Sequence, residues 1–240
     1  VQNLAAEWHT SQHDLIKLMF DAREFSPDLV IMFHAINDLI RSFGENVFSE
    51  GEYRQDYRHY FGAATNLARP GRTAMNFFNT AGGHWCSDFR FQQVRIAGPE
   101  GNGLNGMLTM FFPKSQPVEF TDWKSLPAFE RNEREFVRIA RQAGMEVMLA
   151  TQPSLFRSDL SKQDQEVLVF AKTHQSQQKH ASLESMIAGM EKFNDVTRKI
   201  AKDEQVQFVD LEKEVPKTTD FVYDDVHFTR RGNERVAEVI

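Results

Sequence analysis

The chain has 240 residues, with 28 Lys plus Arg against 34 Asp plus Glu and a net charge of −6. It is long enough for one domain with a substantial core, and too acidic, with no basic run interleaved with aromatics, for a nucleic-acid partner. Its apolar runs, such as Leu29 to Phe33 and Val147 to Ala150, fall far short of the roughly 20 residues a membrane-spanning helix needs, and a single cysteine, Cys86, excludes an internal disulfide framework while leaving the compartment open.

Val1 to Leu4 reads as the end of a strand, and Thr10-Ser11-Gln12-His13-Asp14 introduces a helix whose apolar positions Leu15, Leu18, Met19 and Ala22 carry it to about Glu24. Ser26-Pro27-Asp28 breaks that helix. Leu29 to Phe33 is then a continuous apolar run bounded by turn signals, the pattern of a parallel strand buried on both faces. It empties into His34-Ala35-Ile36-Asn37-Asp38. In an open parallel sheet the loops leaving the carboxyl ends of the strands form the ligand crevice. Asn37 therefore stands where chemistry happens, although a loop Asn also serves as a turn former.

From residue 43 to 122 the core pattern lapses, and this block reads as an insertion over one rim of the sheet. It predicts a helix over 52–67 and two hairpin strands, Phe89 to Ala97 and Met107 to Phe112. Their linker contains Gly101-x-Gly103-x-x-Gly106, which leads into another strand-like run instead of opening a helix; it reads as a turn and not as a nucleotide fingerprint. Phe77, Phe78, Trp85 and Trp123 either line a substrate mouth or seal the insertion to the core.

Regular alternation returns with Ser125, placed to cap a helix from Pro127 to Ala143 that Gly144 stops. Met145 to Ala150 is the next buried strand, releasing the loop Thr151 to Phe156. A polar, Gln-rich segment from Arg157 to Ala181 follows, with a short apolar run from Val167 to Phe170. Ser182 starts a long amphipathic helix carrying Leu183, Met186, Ile187, Met190, Phe193 and Ile200, and Val206 to Val209 is the last strand. Beyond Pro216 comes Asp224-Asp225-Val226-His227, then Thr229, whose hydroxyl can take an orphan N–H at the start of a closing helix. Strands alternating with helices predict one domain over 1–240, a three-layer α/β/α parallel sheet of flavodoxin type with a mixed insertion over 43–122.

An acid three residues before a histidine supplies a base and its orienter: a carboxylate bonded to one imidazole nitrogen fixes the tautomer and steadies the imidazolium formed when the other nitrogen takes a proton. Taken alone, the spacing also fits an exposed His at a helix N-terminus. With Asn37 at another strand exit, the fold could bring a side-chain amide donor and a base together, which points to acyl transfer. Asp224 is the orienter by spacing, with Asp225 as its rival. No metal is expected, since His84-x-Cys86 lacks a second ligand pair and there is no His-Glu-x-x-His. His9, His13, His34, His59, His174 and His180 read as surface or loop residues.

Three blocks, in this order, resemble the SGNH, or GDSL, hydrolase superfamily: Pro27-Asp28-Leu29 through Asn37-Asp38, then Phe208-Val209-Asp210, then Asp224-Asp225-Val226-His227 with Gly232. The match covers most of the chain outside the insertion. It implies a flavodoxin-like sheet and a serine ester hydrolase that needs no cofactor. His227 would be general base, Asp224 its orienter and Asn37 an oxyanion donor, and the substrate a small-molecule or glycan ester such as an O-acetyl group.

The family's Gly-Asp-Ser block is not found. Ser11, Ser87 and Ser154 lack the strand-to-turn setting of such a nucleophile and read as cap or loop serines. Since position 1 is Val and Ile240 falls within an apparent helix, the chain is expected to be trimmed at both ends, with the first strand and its serine upstream of Val1. The family's second-block glycine falls on Trp8, and Ala35 stands where the third block usually has glycine; both positions would lie near the oxyanion or substrate. These departures leave an alternative, a catalytically impaired domain of the same shape that binds a glycan or other polymer.

Overall fold

The computed structural model describes residues 2–5, 9–43, 116–169 and 179–240. The chain divides into two units, Val1–Gln55 with Ser115–Ile240 and Asp56–Lys114, and the described residues belong to the first. The helix expected over 52–67, the hairpin strands, the glycine-rich linker, Phe77, Phe78, His84, Trp85, Cys86 and Trp8 lie outside them.

Among the described residues there are five strands: β1 (Leu29–Phe33), β2 (Gln116–Val118), β3 (Glu146–Ala150), β4 (Lys179–Ala181) and β5 (Gln207–Val209). The helices are α1 (Ser11–Lys17), continued by a π turn (Leu18–Ala22) into α2 (Arg23–Phe25), then α3 (Ile36–Arg41), α4 (Leu126–Gln142), α5 (Lys162–Val167), α6 (Leu183–Glu204), α7 (Leu211–Glu214) and α8 (Arg230–Val239). The main sheet is parallel in the order β1-β3-β5, with Leu29 opposite Glu146, Phe33 opposite Ala150 and Ala150 opposite Val209. It is the parallel α/β arrangement that the alternation of strands and helices predicts. Among the described residues no helix is long and apolar enough to cross a membrane.

Each strand exposes alternate residues to opposite faces. On one face, Met32, Val147 and Leu149 pack against Leu15 and Leu18 of the first helical segment, Phe136 and Ala140 of α4, and Ile200 and Ala201 of α6. Burial of each such side chain favours folding by about 1.5–3 kcal/mol. The other face of β1 departs from expectation. Leu29 and Ile31 remain 38% and 43% exposed, so the apolar run is a strand, but not one covered on both sides.

The helix ends follow their sequence signals closely. Gly144 adopts φ +79°, the Gly144 N–H bonds the carbonyl of Arg141 and the Met145 N–H that of Ala140, which together close α4 as a Schellman motif. Ser182 caps α6 through the Ser185 N–H. Ser125 stands at the start of α4 but does not cap it; its hydroxyl donates to the carbonyl of Asp38 and is itself bonded to Ser42 Oγ at 2.6 Å. Phe43 packs against Phe120 and Trp123, with ring centroids 4.7 and 6.0 Å apart. Segments distant in sequence are thereby stapled together, and Trp123 packs against the core.

The expectation for the amino-terminal residues also fails. Gln2 to Ala5 form no strand; Asn3 Oδ1 instead accepts the Ala5 N–H, a local turn that competes with ladder pairing. The polar segment before Ser182, for its part, holds β4, which pairs in parallel with β2.

Candidate active site

The histidine loop is built by its own backbone. Val222 and Phe228 form an antiparallel bridge, Tyr223 N–H bonds the carbonyl of His227, and Thr229 N–H bonds that of Phe221. Thr229 Oγ1 accepts the Gly232 N–H and opens α8 as its cap. Gly232 is needed for close approach: a Cβ there would lie 2.0 Å from the Phe221 carbonyl oxygen.

Within this frame Asp224 Oδ2 sits 2.7 Å from His227 Nδ1, while Asp224 Oδ1 accepts the backbone N–H groups of Val226 and His227 at 3.0 and 2.9 Å. Burial raises the Asp224 carboxyl, but the hydrogen bonds from the His227 ring and the two backbone N–H groups outweigh it, and the carboxyl sits below its ordinary value. A carboxylate at that distance holds the proton on Nδ1 and places the basic lone pair of the imidazole on Nε2. The His227 side chain is half exposed, with Tyr223 stacked alongside it.

Asp225, the rival orienter, has other bonds as well. It is fully buried, its carboxylate takes the Val169 N–H and its carbonyl takes the Leu155 N–H. Its work is to tie the histidine loop to the loops leaving β3 and α5.

Asn37 lies in the first turn of α3, directly after β1, and its Nδ2 donates to the carbonyl of His9 at 2.7 Å. The exit of β1 and the histidine loop are joined by the stacked rings of Phe33 and Phe228, 5.9 Å apart. Ala35 has φ −168°, an extended value that any residue adopts, so alanine in place of glycine brings no backbone strain. Its methyl is fully buried in the core, which leaves only its backbone to offer a ligand.

Of the histidines read as surface or loop residues, His9 and His34 do lie in loops, His9 buried and His34 only slightly exposed, while His13 is buried within α1. His34 lies between two carboxylates, Nδ1 3.2 Å from Asp14 Oδ2 and Nε2 3.1 Å from Asp38 Oδ2. Burial alone would lower its pKa, but Asp14 and Asp38 overcome that and push it up to about 10. His34 is therefore an imidazolium at neutral pH and cannot serve as a base. His13 is the opposite case, held down to about 4 by burial and by His9, which stacks on it; its Nδ1 lies 3.1 Å from the Thr10 backbone nitrogen and accepts that N–H.

Asp38, fully buried, also takes the N–H and hydroxyl of Ser11 at 2.8 and 2.6 Å. Ser11 is thus an anchor for α3, while Ser154 is buried in the loop after β3. Sequence reasoning also passed over Gln152 in that loop. Its Oε1 accepts the N–H of Ile36, beside Asn37, and the only available signal was its place after a buried strand.

No family model matches the chain, and no curated protein matches it in sequence. Among solved structures it is similar to a variant of an acetylxylan esterase from Geobacillus stearothermophilus (12% identity, TM-score 0.47, covering 97% of this chain and 66% of that one). It is also similar to the acetyl xylan esterase AlAXEase (12%, TM-score 0.46, 97% and 75%) and to a protein described as a GDSL-like lipase from Parabacteroides merdae (10%, TM-score 0.48, 97% and 66%). The chain thus spans 66% of the length of the first of these.

Proposed function

We propose that the protein is a carboxylic ester hydrolase of the serine type, with His227 as general base and acid, Asp224 as its orienter and Asn37 as a donor to the oxyanion. The observation that carries this reading is the 2.7 Å bond between Asp224 and His227 on a loop whose backbone is tied at both ends. The nucleophile in this reading is a serine other than Ser11 and Ser154, which are buried.

The serine Oγ attacks the ester carbonyl as His227 Nε2 takes its proton, and the carbonyl oxygen becomes an oxyanion that the Asn37 amide stabilises. The carbon–oxygen bond to the alcohol then breaks, and His227 returns the proton to the leaving oxygen. Water repeats the sequence on the acyl-enzyme and releases the acid. Asp224 stays ionised throughout, because its hydrogen bonds hold its carboxyl low. No step calls on a cofactor, and the substrate class is a small-molecule or glycan ester.

Covalent labelling of the full-length protein by a fluorophosphonate tests this directly. One serine should be labelled, as located by peptide mass spectrometry, and His227→Ala should abolish the reaction. Undiminished labelling in that variant would overturn the assignment.

A further inference from the structure

We infer that Gln152 is a positioning residue for this hydrolysis, holding the oxyanion donor Asn37 through the backbone of Ile36; the inference rests on the ester-hydrolase reading above. Ile36 is the first residue of α3, and an N–H in the first turn of a helix has no partner within the helix. The usual remedy is a side chain at the cap position, but that position is Ala35, which has none to give. Gln152 supplies the missing acceptor from the exit of β3, with Oε1 2.7 Å from the Ile36 nitrogen.

The orientation of the amide follows from its partner: a backbone N–H can only donate, so the oxygen faces Ile36. Gln152 is itself fixed. Its N–H donates to Asn194 Oδ1 at 2.9 Å and its carbonyl accepts from Asn194 Nδ2 at 3.0 Å, and Asn194 is almost wholly buried in α6. On its other side Thr151 bonds the carbonyl of Val209 through its N–H and Asp210 through its hydroxyl. Gln152, at the exit of β3, is therefore held by α6 and, through Thr151, by the exit of β5, and in turn holds the exit of β1.

Asn37 needs this support because, among the described residues, its own amide is held by the His9 carbonyl, on an irregular segment ahead of α1. A displacement of the first turn of α3 would move the amide off the oxyanion, and transition-state hydrogen bonds are steeply sensitive to such shifts. Loss of the Gln152 acceptor should lower kcat and spare KM.

The experiment uses Gln152→Met, which keeps length and removes the acceptor, and Gln152→Glu, which keeps an acceptor oxygen, both in the full-length protein. In Gln152→Met the Ile36 amide should exchange with solvent about tenfold faster or more, and kcat should fall about tenfold at unchanged KM. In Gln152→Glu the Ile36 amide should stay protected. In an Asn37→Ala background, Gln152→Met should change kcat by less than about twofold, since a residue acting through Asn37 has nothing left to act on. Unchanged Ile36 exchange in Gln152→Met would overturn the inference, and so would kcat losses that multiply in the double variant. If His227→Ala and Asn37→Ala both keep full turnover, the hydrolase reading fails separately. Nuclear magnetic resonance of the Asn37 side-chain amide then decides about Gln152: a shifted resonance in Gln152→Met supports the hold on Asn37, and an unshifted one refutes it.

Discussion

His34 and His227 show how surroundings divide one side chain into two roles. Both meet carboxylates, but His34 is enclosed between two of them and keeps its proton to about pH 10, whereas His227 faces one and stays half exposed. The neighbouring acids divide in the same way. Asp224→Asn should lower kcat by roughly 10³–10⁴-fold, as expected when the orienting carboxylate of such a triad is lost, and Asp225→Asn should lower thermal stability with far less effect on kcat. Equal kinetic losses would return Asp225 to the role of orienter.

The buried groups also set how stability depends on pH. A histidine raised from 6.5 to about 10 contributes stability that is complete below about pH 6.5 and lost as pH rises through 10. Glu133 acts in the same direction over a lower range. It is fully buried, with Oε1 accepting from Thr197, and burial raises it from 4.5 to about 8, so its ionisation costs stability as pH climbs between those values. Thermal denaturation at pH 6 to 10 should show a falling midpoint. Glu133→Gln should be more stable than the parent above pH 8, and a parent midpoint flat across that range would contradict both assignments. The Asp-x-x-His spacing was legible because four consecutive residues build it. The burial of His9, His13 and His34 was not, because it depends on α1 and α3 coming together and no periodic signal marks a buried polar group.

Among the elements, those with strong local chemistry were read nearly to the residue. Leu29 to Phe33 is a strand, Gly144 ends α4, Ser182 opens α6 and Thr229 opens α8. The short strands β2 and β4 were not read, since three residues in polar surroundings carry no alternation and pair only through tertiary context. The exit of β1 illustrates the same limit: its first helical turn is closed by Gln152, 116 residues away, and no local motif shows that. Gly232 permits a sharper expectation. Its hydrogen lies where α8 meets the Phe221 carbonyl, so Gly232→Ala should cost about 1–3 kcal/mol by overpacking and shift the histidine loop. Chemical denaturation and the His227 ring resonances would check it; an unchanged midpoint would show that α8 has room to move.

Across the whole molecule, a parallel sheet sends the exits of its strands to one edge. Three contacts join the segments that carry residues 37, 152 and 227. Phe33 stacks on Phe228, Asp225 accepts from Leu155, and Gln152 accepts from Ile36. The alternation of strands and helices made this arrangement foreseeable, and the roles proposed for His227, Asp224 and Asn37 came from the resemblance to SGNH hydrolases. The contacts that tie the exits together came only from the structure. The account therefore stands on one imidazole, and its most direct test is steady-state hydrolysis of an activated ester by the full-length protein and its His227→Ala variant. A fall in kcat/KM of about 10³-fold or more is the expected result, and turnover retained in the variant would contradict it.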